Sequence, residues 1–199
     1  MPFAHPALVT SSAATAEAPR LTHRPRQGAT AVEARAAGAA LLAAAGGGLL
    51  LFLFPRLELG LFARGAAQLA SLATGSPMLR AAAGWLLPSA QTPILVTTAC
   101  SGADYFLIVA ALLGWQLARR GRAVLRAALV GCALSLPFAI TVNALRLTTL
   151  AQMHRWFIPL LPDVYAPFLH LLTGVAVFLP SLIALHLLIE FHGSHRPSP

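Results

Sequence analysis

The chain has 199 residues, of which 57% are hydrophobic and only 10% carry a charge. That balance is typical of a membrane protein and excludes a water-soluble domain with a polar surface. The net charge of +8 comes from arginine alone, since the sequence contains no lysine. Because the arginines stand between apolar runs, the positive-inside rule explains them, and we expect no nucleic-acid partner.

The N-terminal residues 1–35 are rich in Ala, Ser, Thr and Pro, and their apolar residues show no periodicity. They predict a disordered tail on the cytoplasmic side. Residues 36–54 form an uncharged run that is long enough to cross a bilayer, which needs about 20 residues. Since no convincing small-residue cleavage site follows this run, we expect an uncleaved membrane anchor.

The next stretch, residues 55–93, is less hydrophobic and is expected to stay at the outer surface without crossing. Its first part, residues 57–74, places Arg64 and Gln68 on one helical face and Leu72 on an adjoining apolar face. This pattern predicts an amphipathic helix that lies at the membrane interface.

Three further apolar runs predict membrane-spanning helices, at about residues 94–118, 127–151 and 165–189. Four arginines stand in and just after the connection between the first two of these runs, which marks that connection as cytoplasmic. Four crossings then place both termini in the cytoplasm, including the tail 191–199. We therefore predict an all-α, multi-pass transmembrane helix bundle whose membrane domain covers residues 36–190.

Three chemically reactive residues lie at matching positions in the last three predicted spans. Cys100, Arg146 and His170 each stand 19 or 20 residues from the cytoplasmic end of a helix. At a rise of 1.5 Å per residue, all three lie about 28–30 Å from that end, near the outer membrane surface. Cys132 is much nearer the cytoplasmic end, so we expect it to pack as a small apolar residue without a disulfide to Cys100.

The residues that follow Cys100 favour a reactive thiol. Ser101 and Asp104 form an S-x-x-D pattern before an apolar run, which predicts a capping box with Ser101 as the N-cap. Cys100 would then lie just outside a helix N-terminus, where the helix dipole favours the thiolate. Asp104 either serves only as a cap or pairs with Arg146. We count Ser101 and Asp104 as supporting residues of the site.

Arg146 and His170 each have a functional and a structural interpretation. Arg146 either serves a polar site or extends its side chain to the outer surface. Asn143 lies three residues earlier on the same helical face, which favours an inward-facing site. His170 is either a hydrogen-bonded packing residue or a member of that site. His154 and Arg155, in the predicted outer loop, compete for the same roles.

A thiol, an imidazole and a guanidinium together suit acyl transfer. Cys100 would attack a peptide carbonyl, Arg146 would stabilise the oxyanion, and His170 would protonate the leaving amine and then activate a second nucleophile. We expect no cofactor and no metal, because no histidine spacing resembles a zinc motif such as HExxH. Neither GxSxG nor SxxK is present, so a serine mechanism lacks support.

Three short motifs resemble those of the exosortase/archaeosortase family, in the family's order and spacing. They are ACSGADYF at 99–106, NALRL at 143–147, and HLLTG at 170–174 with Phe178 following. The resemblance implies a membrane cysteine transpeptidase. It assigns the roles of catalytic residues to Cys100, Arg146 and His170, with Asn143 in support.

The resemblance also implies a place and a substrate. The enzyme would lie in the bacterial inner membrane among its lipids, with the active site facing outward to the periplasm. Its substrates would be secreted proteins whose C-terminal signal combines a short motif such as Pro-Glu-Pro, a transmembrane helix and an arginine-rich tail. It would cut near the motif and transfer the protein to an envelope acceptor. Two alternatives stay open: a non-catalytic assembly factor for envelope polysaccharide or secretion, and a small carrier whose Arg146 binds an anion.

Overall fold

The fold was obtained as a computed structural model, which describes residues 27–88, 93–156 and 165–194. Within these residues the chain forms five α-helices, one π-helical turn, one 3₁₀ turn and three short strands. In chain order they are α1 (Gln27–Leu53), the π turn (Glu58–Ala63), α2 (Arg64–Thr74), β1 (Leu79–Ala81), β2 (Gly84–Leu87), β3 (Ile94–Val96), the 3₁₀ turn (Thr98–Cys100), α3 (Ala103–Arg119), α4 (Val124–Trp156) and α5 (Ala166–Ser194).

Four helical segments of the described chain are long and apolar enough to cross a membrane. They are Thr30–Leu53, Thr98–Arg119, Val124–Trp156 and Phe168–Phe191. The predicted all-α, multi-pass membrane bundle is therefore confirmed. The side of the membrane that each terminus faces stays a prediction.

Helices α1, α3 and α4 contact one another through glycine and alanine. A Cβ atom added at Gly114 would lie 3.0 Å from the carbonyl oxygen of Ala39, and one added at Gly131 would lie 2.9 Å from the backbone nitrogen of Gly114. Ala43 and Ala110 are buried at the same contact. Small residues let helix backbones approach closely, so these three helices form the packed centre of the bundle.

Helix α5 packs against α3 and α4 along one side only. Two side-chain hydrogen bonds link it to α3, from Tyr105 to Ser181 at 2.6 Å and from Gln116 to His186 at 3.0 Å. Elsewhere on α5 the side chains of Ile183, Leu187 and Leu188 are more than half exposed, as expected of side chains that face lipid.

The amphipathic segment predicted at residues 57–74 forms the π turn and α2, and it packs on α4 through alanine. A Cβ at Gly65 would lie 3.1 Å from Cγ2 of Ile140, so the two helices are close. Leu72, on the predicted apolar face, is instead 75% exposed. The small alanines of α2 permit close backbone contact with α4, and the position of this segment at the membrane interface stays a prediction.

A three-stranded antiparallel sheet, in the order β1-β2-β3, follows α2 and was not predicted. The register pairs Arg80 with Trp85 and Trp85 with Val96, so these three side chains share a face. Val96 is fully buried and packs with α2 and α4. Gly84 begins β2 with a φ of +157°, and a Cβ there would collide with the carbonyl oxygen of Val96. The sheet leads the chain directly into the turn that carries Cys100.

The predicted disordered tail is too long, because α1 already begins at Gln27. Its first turns are held by the bundle, since Glu33 lies 3.5 Å from Arg119 in an ion pair and Ala36 is fully buried. Residues 1–26, the rest of the predicted tail, lie outside the described residues.

The predicted span at 94–118 also starts too early. Its first residues form β3, and α3 begins only at Ala103, because Gly102 adopts a left-handed φ of +79° that separates the turn from the helix. Helices α4 and α5 extend beyond the predicted spans at 127–151 and 165–189. Helix α5 therefore takes in the start of the predicted C-terminal tail, whose residues 195–199 lie outside the described residues.

Candidate active site

Cys100 ends the 3₁₀ turn that connects β3 to α3. Its backbone nitrogen donates a hydrogen bond to the carbonyl oxygen of Thr97 at 3.0 Å. Gly102 then turns the chain in the left-handed conformation, and α3 begins at Ala103. This strand–turn–helix connection places the thiol just before the first turn of α3.

The prediction that Ser101 is the N-cap of α3 was wrong by one residue, since the N-cap is Gly102. Ser101 Oγ still accepts a hydrogen bond from the backbone nitrogen of Ala103 at 3.2 Å, which satisfies one free amide at the helix start. Asp104 lies exposed in the first turn, where the helix dipole favours a carboxylate. In the described part of the chain no ion pair joins Asp104 to Arg146.

Asn143 of α4 holds the turn by two hydrogen bonds. Its Nδ2 donates to the carbonyl oxygens of Cys100 and Ser101, both at 2.8 Å. The side chain is fully buried, and a Cβ on Gly102 would lie 3.0 Å from the Cβ of Asn143. Gly102 therefore meets two demands at once, a left-handed backbone and close contact with α4.

His170, near the start of α5, lies next to the thiol. Its Nε2 is 3.4 Å from Cys100 Sγ, and both side chains are partly exposed. A neutral imidazole nitrogen can accept a proton from the thiol at this distance. A nucleophile in contact with a base is the arrangement that covalent catalysis needs.

Arg146 lies one helical turn beyond Asn143 and is only 8% exposed. Its guanidinium carbon is 5.3 Å from the ring centroid of Phe178, a cation–π contact that stabilises the buried charge. Gly174 provides the space, since a Cβ there would lie 3.3 Å from Arg146 Nε. The Nε–H group has no hydrogen-bond partner among the described residues.

Arg146 lies beside the other two groups of the site. It lines the same groove as His170, whose imidazole contacts the Cys100 thiol. The structure thus brings the three side chains together, as expected from their nearly equal distances from the cytoplasmic helix ends. Their helices supply them at one end of the bundle, where α3 begins, α4 approaches its end and α5 begins.

Arg146 and His170 open onto a groove of about 580 Å³ between α3 and α5. Its α5 wall continues from Leu171 to Leu182, which is about 16 Å along the helix. The groove is polar at the end that holds Arg146 and His170, and it is mainly apolar along the rest of its length.

Other residues weighed as candidates differ in their relation to the site. His154, on α4, is near enough to His170 to interact with it electrostatically. Arg155 stacks on the neighbouring tryptophan ring at 5.9 Å. Cys132 is a free cysteine like Cys100, but its Sγ lies 3.6 Å from a carbonyl oxygen of α1, away from the site.

Two aromatic residues of the site were not singled out for a role by the sequence. Phe178 stacks on Tyr105 with ring centroids 4.5 Å apart, and it also carries the guanidinium of Arg146. Phe178 stands four and eight residues after Gly174 and His170, so the helical period places all three on one face. This spacing is the feature of the sequence that could have identified Phe178 as a residue of the site.

Comparison with known proteins identifies the family. No curated protein and no solved structure matches the chain. The model of a family described as transmembrane exosortase (Exosortase_EpsH) matches residues 57–187, about two thirds of the chain, and this stretch contains Cys100, Arg146 and His170. The chain therefore belongs to the transmembrane exosortase family.

Proposed function

We propose that this protein is a membrane cysteine peptidase and transpeptidase that acts on the C-terminal sorting signals of secreted proteins. The observation that carries the proposal is the 3.4 Å contact between Cys100 Sγ and His170 Nε2 beside the buried Arg146, in a chain of the exosortase family. A cysteine that serves only for packing requires neither an imidazole partner nor a buried cation.

In the first half of the proposed reaction, His170 takes the proton of Cys100 and the thiolate attacks the carbonyl carbon of a peptide bond. The carbonyl electron pair moves onto oxygen, where the guanidinium of Arg146 stabilises the negative charge. Collapse of this intermediate breaks the C–N bond, and His170 gives its proton to the leaving amine. The products are a thioester on Cys100 and a free C-terminal tail.

In the second half, an acceptor nucleophile attacks the thioester while His170 removes its proton. The C–S bond breaks, the thiolate leaves, and His170 returns the proton to Cys100. An amine or hydroxyl acceptor gives transfer of the secreted protein to the envelope, whereas water gives hydrolysis.

The groove between α3 and α5 supports a substrate that is itself anchored in the membrane. Its apolar wall of about 16 Å suits part of a transmembrane helix, and its polar end lies at Arg146 and His170. A helix lying there would present the peptide bond at its end to Cys100.

We also propose that the protein lies in the bacterial inner membrane, with both termini in the cytoplasm and the site facing outward. The four arginines between 119 and 126 support this orientation, because they favour retention of the connection between α3 and α4 on the cytoplasmic side. Cys100 stands at the opposite end of α3 from these arginines.

The test compares envelope proteins of cells that carry wild type, Cys100→Ala or Cys132→Ala at equal abundance. We expect C-terminal proteomics to find proteins that keep a hydrophobic, arginine-ended tail only with Cys100→Ala. Cys132→Ala controls for the loss of a membrane thiol. Identical tails in all three strains would reject sorting and leave the assembly factor or the anion carrier as the function.

A further inference from the structure

Aromatic rings from three helices meet beside Arg146. Tyr105 of α3 stacks on Phe178 of α5, with ring centroids 4.5 Å apart and planes 13° apart. It also pairs with Phe138 of α4, with centroids 6.4 Å apart, and is itself only 5% exposed. Stacked rings attract one another beyond what their buried area contributes. The place of the Phe178 ring, which carries the guanidinium of Arg146, therefore depends on Tyr105.

The hydroxyl of Tyr105 holds the same part of α5. Tyr105 Oη lies 2.6 Å from Ser181 Oγ, and Ser181 Oγ donates a hydrogen bond to the carbonyl oxygen of Phe178 at 2.8 Å. A serine hydroxyl has a single proton to donate. Because Ser181 gives that proton to the carbonyl, Tyr105 is the donor in the bond between the two hydroxyls. Phe178 is thus held through its side chain by the stacked ring and through its backbone by the hydroxyl pair.

Arg146 depends on this part of α5 for its own position. Its Nε–H has no hydrogen-bond partner among the described residues, so that group does not fix the guanidinium. Gly174, one turn before Phe178, lies so close that an added Cβ would be 3.3 Å from Nε. A guanidinium is attracted to the face of an aromatic ring. A shift of Phe178 should therefore move the charge with it.

We infer that Tyr105 is a positioning residue, which sets the place of Arg146 beside Cys100 and His170 by holding Phe178. This inference rests on the proposed function, in which Arg146 stabilises the oxyanion. A small displacement of such a group raises the reaction barrier more than it weakens substrate binding. Loss of the Tyr105 ring should therefore lower kcat and leave KM nearly unchanged.

Phenylglyoxal, a reagent for guanidinium groups, reports on the surroundings of Arg146 without a substrate. The full-length protein in phosphatidylcholine nanodiscs is treated with the reagent, and mass spectrometry measures modification of Arg146 relative to the exposed Arg64. In wild type Arg146 is only 8% exposed, and we expect slow modification. Tyr105→Leu should raise the rate at Arg146 several-fold, because the displaced Phe178 ring no longer covers the guanidinium.

Phe106→Leu is the matched control. Phe106 is the next residue of α3 and is also 5% exposed, but it packs on Phe62 instead, with ring centroids 5.2 Å apart. It should lower thermal stability about as much as Tyr105→Leu and leave the rate at Arg146 unchanged. Equal rates at Arg146 in the two variants, measured below their unfolding temperatures, would overturn the inference.

Kinetics test the consequence for the reaction. The substrate is the tail-bearing protein that accumulates in Cys100→Ala cells, and its tail release is followed with each variant in nanodiscs. We expect Tyr105→Leu to lower kcat at least about tenfold with KM within about twofold of wild type, and Phe106→Leu to keep both values. Tyr105 also lines the groove between α3 and α5. A raised KM with an unchanged kcat would make it a substrate contact there and would overturn the inference.

The hydroxyl is tested with variants that keep the ring. Tyr105→Phe and Ser181→Ala each remove the hydrogen bond between α3 and α5, and each should lower kcat less than Tyr105→Leu does. Because both remove the same bond, the double variant should be about as slow as either single one. These variants supply the measurement if Tyr105→Leu does not fold. Wild-type kcat and wild-type reactivity of Arg146 in all of them would then overturn the inference.

The positioning role and the proposed function fail separately. Unchanged reactivity of Arg146 in Tyr105→Leu, with tails retained in Cys100→Ala cells, would overturn the positioning role alone. Absence of retained tails in Cys100→Ala cells would reject the enzymatic function, and with it any catalytic role for the position of Arg146.

Discussion

Among the single residues of the site, Arg146 has the highest free-energy cost of burial in the membrane. An arginine within a membrane helix costs roughly 2.5–3.5 kcal/mol at the bilayer centre, and less near a surface. The Phe178 ring at 5.3 Å offsets part of that cost, yet the Nε–H of Arg146 has no partner among the described residues. A positive charge placed where the oxyanion develops stabilises the transition state more than the bound substrate, and so lowers the reaction barrier.

Gly174→Ala should separate activity from stability. The new Cβ would lie 3.3 Å from Arg146 Nε, so the guanidinium must shift by a few tenths of an ångström. We expect tail removal to slow about tenfold or more, because small displacements of a catalytic group are costly. Thermal stability should not fall, since alanine favours a helix by about 1 kcal/mol over glycine. Gly46→Ala, where a Cβ meets nothing within 4 Å, is the control. An unchanged rate for Gly174→Ala would show that the position of Arg146 does not matter.

Asn143→Ala should weaken both the fold and the reaction. It leaves the carbonyl oxygens of Cys100 and Ser101 without their donor, which costs about 1–3 kcal/mol. The turn that carries the thiol then loses its tie to α4, and we expect slower tail removal together with a lower unfolding temperature. Thr149→Ala is the matched control, since that hydroxyl bonds only within α4. Full activity of Asn143→Ala would show that the hydrogen bonds of Asn143 to the turn are not needed to position Cys100.

At the scale of elements, the bundle depends on close contact between α1, α3 and α4. Gly131→Val should disturb it, because a Cβ there would lie 2.9 Å from the backbone nitrogen of Gly114. Overpacking of this kind costs about 1–3 kcal/mol. Thermal unfolding in detergent measures the loss, and Gly48→Val, at a position with open space, should show little of it. Equal stability of the two variants would contradict the packing described for the centre.

Some features of the helices and strands could be predicted from the sequence, and others could not. A fixed rise per residue was enough to place Cys100, Arg146 and His170 at one level, and the structure puts two of their atoms 3.4 Å apart. The sheet could not be foreseen, because strands of three or four residues are too short for a readable alternation. The early part of α1 is in contact with α3 through the ion pair of Glu33 and Arg119, a contact between residues far apart in sequence that the local composition does not reveal.

In the molecule as a whole, the residues that the family model matches do not include every helix of the packed bundle. The match begins at residue 57, after α1. Helix α1 nevertheless contributes Ala39 and Ala43 to the centre of the bundle, and Glu33 to an ion pair with α3. Helix α1, which precedes the family region, is thus a structural component of the helix bundle.

The orientation of the whole molecule can be measured with single cysteines in a chain that carries Cys100→Ala and Cys132→Ala. Pro77→Cys, between α2 and β1, should react with an impermeant thiol reagent in intact spheroplasts. Ala123→Cys, between α3 and α4, should react only after the membrane is permeabilised, because the adjacent arginines favour a cytoplasmic position for that connection. Both positions are exposed in the structure. The reverse pattern would place the site on the cytoplasmic side.

In the proposed reaction Cys100 holds the substrate as a thioester, which hydroxylamine can trap. Hydroxylamine attacks a thioester in place of the natural acceptor and leaves a hydroxamate at the new C-terminus. Membranes with wild type, Cys132→Ala or Cys100→Ala are treated with hydroxylamine, and the C-terminal peptides are analysed by mass spectrometry. We expect hydroxamate-ended peptides with wild type and Cys132→Ala, and none with Cys100→Ala. Hydroxamates that persist with Cys100→Ala, or processed proteins that lack them in all three samples, would contradict it.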